Sequence, residues 1–459
     1  MDTEKANSKL DMLNGPIWNK LPRYALPVAA TAILEQLFNA SDIAVVGNFT
    51  GSDSTVSVAA VGANSSVIGL ILNLFIGIAL GANVVIANAI GREDTKTVKK
   101  AVHTSIITAF LGGIIVAVIG ELIAGRLMGM LNIPDEVFPY ALLYLRIYLL
   151  GLPVIFLYNF EAAIFRSIGD TKAPLQALLI SGIINVIMNL FFVIVLKMTV
   201  NGVAIATVLS NTISSIILLR KLIRTDKCIH VELKSLKVDG RIFSRILQIG
   251  LPAGIQSAVF SIANIVIQAA INSLGTVVIA ASSAAFNLEI LAYYVMNSFS
   301  QACTTFVGQN YGAGNMKRCQ KTLVLCLIED AIASAAAIGL VLVSGKFLLS
   351  IFNNDPEVIR IGYTRLVIIF TAYIFSMLYE IMSGYLRGFG ISLVPALLTT
   401  AGVCGIRIAW IYTIFSHSRT FKTIMTVYPV SLSVTALLIG IALLIYHPAR
   451  RYLKSEQKS

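Results

Sequence analysis

Glu35, Gln36, Asn39 and Asp42 interrupt a largely apolar stretch, ILEQLFNASDIAVVGNFTG at 33–51. An ionised carboxylate at the centre of a membrane-depth helix costs about 2.5–3.5 kcal/mol on insertion scales, so two acids there need a chemical reason. Glu35, Asn39 and Asp42 are spaced i, i+4, i+7, which puts them within about 40° of one another on one helix face. A carboxylate on such a stripe, facing protein or a wet cavity, can take up and release a proton, or hold a monovalent cation with help from amide oxygens. A hydrogen-bond network that only packs helices is the other reading. Pro27, two to four turns earlier, predicts a bend in the same helix. A second stripe, SGIINVIMNLFFV, places Asn185 and Asn189 at i, i+4 and offers the oxygens that complete such a site, or a packing contact.

Further along the chain the acids give way to neutral groups. The positions aligned with Glu35 and Asp42 are Phe260 and Ile267. Around them run Ser257, Ser261, Asn264, Gln268 and Asn272, and then Asn287, Tyr294, Ser298 and Gln301, at helical spacing. These suit a wet cavity wall that offers hydrogen bonds without fixed charge, or packing. Glu289 and Glu380 are read as the remaining deep acids of this half. They either add negative potential that attracts organic cations or pair with Arg407. Arg146 is expected to snorkel or pair.

The elements that must position these residues are membrane helices. Of 459 residues, 57% are hydrophobic and 13% charged, with a mean hydropathy of +0.82; a soluble chain would carry about 25% charged residues. Apolar runs long enough to cross about 30 Å of hydrocarbon recur twelve times, at roughly 24–48, 57–89, 101–124, 137–160, 173–196, 202–219, 247–273, 276–308, 322–344, 358–384, 393–415 and 424–446. The second and eighth are long enough to tilt or to extend past the bilayer. No cleavable signal peptide is expected in the polar opening MDTEKANSKLDMLNGPIWNK. With both termini inside, 26 of the 35 Lys and Arg fall in cytoplasmic segments. Seven fall outside (Arg126, Lys197, Lys346, Arg360, Arg365, Arg419 and Lys422), and Arg146 and Arg407 lie within spans. The positive-inside rule therefore favours cytoplasmic termini and accounts for the net charge of +12 without nucleic acid.

The five cysteines (Cys228, Cys303, Cys319, Cys326 and Cys404) lack zinc-ligand spacing and read as free thiols, and the four histidines lie at span ends or in loops. Neither a metal site nor a cofactor is expected, and no nucleophile–base set suggests an enzyme. The stretch from Arg220 to Arg245 is the one long polar segment between spans; it reads as a linker, compatible with a basic helix lying on anionic lipid.

The two halves repeat. With a shift of 221, FRSIGDTKAP at 165–174 meets LRGFGISLVP at 386–395, DEV at 135–137 meets PEV at 356–358, and Gly91 and Lys96 meet Gly312 and Lys317; LP recurs at 26–27 and 251–252. Six spans per half give parallel halves related by a pseudo-two-fold axis along the membrane normal. The expected fold class is an all-α polytopic membrane protein of twelve helices in two six-helix lobes. Its divisions are a cytoplasmic tail (1–20), an N-lobe (21–219), a basic linker (220–245), a C-lobe (246–446) and a second cytoplasmic tail (447–459).

The LP–Asp42–VVG spacing, RSIGDTKAPLQALLISGIINVIMN, GLPAGIQSAVFSIANIVIQAAINSLG, GQNYGAGN and LRGFG together resemble the multidrug and toxic compound extrusion family over about residues 20–445. The resemblance implies export of organic cations or other amphipathic compounds driven by inward H⁺ or Na⁺. It also implies a first-lobe ion site built on Asp42 below the Pro27 hinge, with partners at Asn159, Asn185, Asn189 and Thr207. Two departures matter. Some relatives carry Asp where this chain has Asn189, which puts two-acid proton schemes in doubt. The Glu–Asp pair that other relatives place in the second lobe falls on Phe260 and Ser376, so coupling is expected in the first lobe. Glu35 and Glu161 stand where relatives are often uncharged and are candidates for a further acid.

The expected function is thus a secondary antiporter in the cell (inner, cytoplasmic) membrane, a monomer working by alternating access of two lobes. Asp42 carries the coupling with Glu35, Asn39, Asn159, Asn185, Asn189 and Thr207. A substrate cavity takes in Asn264, Gln268, Asn287, Tyr294 and Gln301 and receives a small amphipathic or cationic molecule. The alternative is a flippase for lipid-linked saccharides or other lipids, which the scarcity of arginines within spans opposes. A channel is weakly opposed by the two-lobe repeat.

Overall fold

A computed structural model describes residues 10–131 and 133–449, the side chain of Ser52 excepted. Most of both predicted tails, 1–9 and 450–459, lies outside the described residues. The described chain is helical and contains no strand. Its twelve long helices are α1 (Leu21–Phe49), α2 (Ser54–Gly91), α3 (Thr95–Met130), α4 (Phe138–Ser167), α5 (Lys172–Val195), α6 (Val200–Arg224), α7 (Gly240–Asn272), α8 (Thr276–Gly312), α9 (Met316–Phe352), α10 (Pro356–Gly388), α11 (Leu393–Phe415) and α12 (Phe421–Tyr446). Eleven of them are long and apolar enough to cross a membrane. The exception is α1, whose 29 residues suffice in length but whose polar stripe lowers its mean hydropathy. Apolar side chains cover the outer surfaces, as with Leu122 of α3 and Val343 of α9; only lipid makes such exposure favourable over whole helices.

The sequence marks α2 and α8 as the long helices, and α3 and α9 prove equally long, at 36 and 37 residues. Hydropathy ends a span at its charges, whereas the backbone continues through Lys96, Lys99 and Lys100 at one end of α3 and through Lys346 near the end of α9. Caps set several boundaries. Asp94 accepts from Thr97 N at 3.0 Å ahead of α3, and Asp355 accepts from Glu357 N at 2.9 Å where Pro356 opens α10.

The repeat recurs in the backbone. After α4, Gly169 at φ +83° lets Asp170 N return to Phe165 O at 3.0 Å. After α10, Gly390 at φ +81° lets Ile391 N return to Leu386 O at 3.0 Å. Both are left-handed helix stops of one type. In the same way α4 packs against α2, α3 and α6, and α10 against their counterparts α8, α9 and α12. A π-turn widens α5 at Phe191–Val195 and α11 at Ile411–Phe415, almost the same register.

Among the described residues the chain forms two compact units, one of Leu10 with 30–251 and one of 11–29 with 252–449. The division therefore runs through α1 and α7 rather than through the basic linker. In the first unit, Gly81 of α2 and Gly250 of α7 come so close that a Cβ on Gly81 would meet Gly250 N at 2.7 Å. The linker itself folds onto α3: Lys99 bonds Glu232 at 2.9 Å and Lys100 bonds Asp239 at 3.1 Å. Thr104 Oγ1 accepts from Asp239 N at 3.0 Å, and Ile229 and Val231 are buried. In the second unit, residues 11–20 are held by Arg318, which donates to the carbonyls of Gly15 at 2.9 Å and Met12 at 3.0 Å.

Candidate functional site

Asp42 sits about three-quarters of the way along α1 and is 5% exposed. Its Oδ1 accepts from Asn189 Nδ2 at 2.6 Å and its Oδ2 from Thr207 Oγ1 at 3.0 Å. Asn189 Nδ2 also donates to Asn185 Oδ1 at 3.1 Å. Asn189 Oδ1 is buried and has no hydrogen-bond donor among the described residues. The Thr207 hydroxyl faces two acceptors, Asp42 and its own helix carbonyl Val203 O, each at 3.0 Å, and it has one proton to give. One turn away on the three helices, Val45, Val46, Val193 and Val203 form a dry apolar cluster beside the site.

Local sequence explains the approach. Gly182 of α5 has no Cβ because the Phe38 ring of α1 occupies that space; small residues let membrane helices close to this distance. Asn185 and Asn189 follow at one-turn intervals, and the π-turn begins two residues after Asn189. Such wide turns recur at functional positions because they redirect a side chain without breaking the helix. No cation lies within 4 Å of Asp42 among the described residues. The arrangement is a buried carboxyl in a neutral polar frame, with oxygens from Asp42, Asn185, Asn189 and Thr207 close together. It is suited to exchanging a proton or an oxygen-liganded monovalent cation.

Of the seven residues expected to couple ions, the structure brings together Asp42, Asn185, Asn189 and Thr207. Glu35 and Asn39 share the helix but are exposed, and neither bonds Asp42. Asn159 donates to Ile155 O of its own helix at 2.8 Å. Pro27 lies inside α1. Glu161 is fully buried, with neither carboxyl oxygen hydrogen-bonded among the described residues.

The second unit differs from the sequence reading at several points. Arg365, counted as an outside cation, is buried in α10 and 3% exposed. It bonds Glu289 through Nε at 3.1 Å and Nη2 at 2.9 Å, and Ser282 at 2.6 Å. Glu289 thus pairs with Arg365 and not with Arg407, because the two face each other from α8 and α10. Glu380 accepts from Tyr293 Oη at 3.5 Å. Glu289 and Glu380 are also not the only deep acids: Asp330 of α9 is fully buried and accepts from Ser334 at 2.8 Å, with half-buried Glu329 beside it. The missed residues had a signal, since Arg365 falls inside the span 358–384 and the two acids inside 322–344. Arg146 pairs with Glu121 at 3.6 Å.

Of the expected cavity residues, Asn264 lines a pocket in this unit. Gln268 and Asn287 are exposed and bond Asn272 and Ser283 of their own helices, at 2.8 and 3.0 Å. Tyr294 is half-buried next to Tyr293, with ring centroids 6.3 Å apart. Gln301 bonds Asn297 at 2.9 Å.

Comparison with known proteins agrees with this architecture. The chain is 25% identical over 439 residues to the probable multidrug resistance protein YoeA of Bacillus subtilis, covering 92% of each chain. It is 27% identical over 394 residues to the probable multidrug resistance protein NorM of Thermotoga maritima, covering 83% of this chain and 82% of that one. Its fold matches the outward-facing structure of a multidrug resistance MATE transporter with a TM-score of 0.88 at 20% identity, over 99% of both chains. The sequence model of the MatE family matches residues 27–191 and 252–413, one segment in each half. With both halves matched and the twelve-helix fold shared, the chain belongs to the multidrug and toxic compound extrusion family of multi-span membrane transporters.

Proposed function

We propose that this protein is a secondary antiporter of the cell membrane that exports small amphipathic or cationic compounds in exchange for inward H⁺ or Na⁺, coupled through Asp42. The observation that carries the reading is the buried Asp42 carboxyl, which has neutral partners, no cation within reach and an unused Asn189 oxygen beside it. Buried polar atoms beside a carboxyl that only packs helices are mostly satisfied, so the spare Asn189 oxygen favours a site that takes a ligand.

The hydroxyl of Thr207 supplies a local switch. With Asp42 ionised, Thr207 donates to Oδ2. With Asp42 protonated, the carboxyl O–H itself donates, and Thr207 is free to accept that hydrogen bond and to donate its own O–H to Val203 O. Asn189, in turn, keeps donating to Asp42 Oδ1 in both states. Loading the site therefore changes the bonds between α1 and α6, and Pro27 leaves α1 with a missing backbone bond at which the helix can respond.

Proteoliposomes carrying a fluorescent organic cation test this under an imposed pH gradient and then a Na⁺ gradient, with wild type and Asp42→Asn. The expected result is gradient-driven movement in wild type and its loss in the variant, with binding of the cation retained. Normal transport by Asp42→Asn would move the search for the coupling acid to Glu35, Glu161 or the second unit. No transport by wild type under either gradient would make lipid flipping the reading to test. The same liposomes, with a label at either terminus, would settle the expected cytoplasmic location of both ends.

A further inference from the structure

The second unit contains a partly open cavity of about 130 Å³ whose walls include Phe260, Asn264, Tyr293, Tyr379, Tyr428 and Arg407. Arg407 stands in the short α-helical turn Ile406–Trp410, between the π-turns Thr400–Gly405 and Ile411–Phe415 of α11. It is 3% exposed. Its Nε donates to Ser431 Oγ at 3.3 Å and its Nη1 to Asn264 Oδ1 at 3.4 Å. Both bonds are longer than the usual N–H···O distance, and they use two of the five N–H donors a guanidinium carries. Its Cζ lies over the Tyr428 ring, 4.3 Å from the centroid, and over the Phe260 ring at 5.3 Å.

No carboxylate lies within 4 Å of Arg407 among the described residues. The one acid in the cavity wall, Glu289, is engaged by Arg365 and by Tyr373 Oη, the latter at 3.4 Å. A buried guanidinium stays charged, and burial without an anionic partner is unfavourable beyond what ring faces return. Around Arg407 the wall is aromatic on several sides, and Asn264 offers a further amide.

We propose that this cavity is a binding site for a small organic anion, a carboxylate carried on a planar ring. The carboxylate meets the free N–H groups of Arg407 in the forked geometry that guanidinium and carboxylate share. The ring lies among Phe260, Tyr293 and Tyr428. The site makes amphipathic molecules with an acidic group part of the substrate range. It stands apart from coupling at Asp42, which lies in the other unit.

The test compares benzoate with benzamide, its uncharged isostere, as stabilisers of the purified full-length protein in thermal unfolding. Benzoate is expected to raise Tm with a saturable dose dependence and benzamide is not. Arg407→Gln is expected to weaken benzoate at least tenfold and Arg407→Lys to keep part of it. In crystals soaked with 4-bromobenzoate, the bromine signal is expected between Tyr428 and Phe260. Equal shifts from benzoate and benzamide, no shift from either, or bromine elsewhere in the molecule would each overturn the proposal, and none of these depends on the folding of a variant. A benzoate shift that survives in Arg407→Gln would overturn it as well. Benzoate binding is read without any ion gradient, so its failure and the failure of the Asp42 coupling reading are separate results.

Discussion

The Asp42 site and the Arg407 cavity are built on two halves of one repeat, and they carry opposite charge. Asp42 is an acid held by amides and a hydroxyl, closed by four valines. Arg407 is a cation held by ring faces and two long hydrogen bonds. The backbone devices that position them have been kept: the left-handed stops at Gly169 and Gly390, and the π-turns in α5 and α11. What has changed is the polar side chains, with Phe260 and Ile267 where the first half has Glu35 and Asp42. Duplicated lobes therefore share a scaffold without sharing the polar side chains that would hold a ligand, and function has to be read from each site separately.

The largest effect expected from breaking this comparison is in the second unit. Replacing Arg365 by Leu leaves Glu289 buried and uncompensated, which costs about 3–5 kcal/mol, whereas replacing both residues by apolar ones of similar volume is expected to recover most of that loss. Thermal unfolding of the two single variants and the double gives the cycle. Arg407→Gln orphans no carboxylate and is expected to cost clearly less than Arg365→Leu. Equal costs would mean that Arg407 has an anionic partner in the protein and that the two sites differ less in charge.

The next effect is on transport. A hydrogen bond to a charged group contributes about 1.5–3 kcal/mol, so Asn189→Leu is expected to lower gradient-driven transport about tenfold or more. Thr207→Val should lower it by less, because Asp42 keeps Asn189, and Thr207→Ser should restore it, since the hydroxyl and not the methyl group acts. Transport rates in liposomes, taken with binding of the same cation, separate this from loss of fold. Full activity in Thr207→Val would remove Thr207 from the switch and leave Asp42 and Asn189 as its working parts.

Much of the first site was legible in the sequence. Polar residues inside apolar helices are costly, so Asp42, Asn185 and Asn189 stood out, and helical spacing put the two asparagines on one face. Asn39 shows the limit of that argument: it shares a stripe with Asp42 but is exposed, because spacing gives a face and not what the face meets. The second site was hidden for a related reason. A cation near a span end reads as a loop charge, so Arg365 was placed outside until α10, starting at Pro356, carried it inward to Glu289. Arg407 was seen as a cation within a span, but its rings come from α7 and α12, and no local pattern joins helices that distant in sequence.

The smallest effect concerns the linker ahead of α7, where exposed ion pairs do the holding, against the segment ahead of α1, where Arg318 grips backbone carbonyls. The Lys99 ammonium, hydrogen-bonded to Glu232, together with Ser235 brings that carboxyl down to about 2. The Ile242 N–H and then Lys100 hold Asp239 below the usual range. Carboxyls with folded values under their unfolded ones, about 4, hold the linker fully above that pH and lose their grip as pH falls toward 2; raising the pH further adds nothing. Because these pairs are exposed, salt weakens them too. Hydrogen-exchange protection at Val231 N and Asp239 N is therefore expected to drop between pH 6 and pH 3 and with added salt, while protection in α3 holds. Glu232→Gln should start lower and show a smaller pH step. If wild type and variant lose protection alike, the linker is held by the buried Ile229 and Val231 alone, and the contrast between the two segments lies in apolar contact rather than charge.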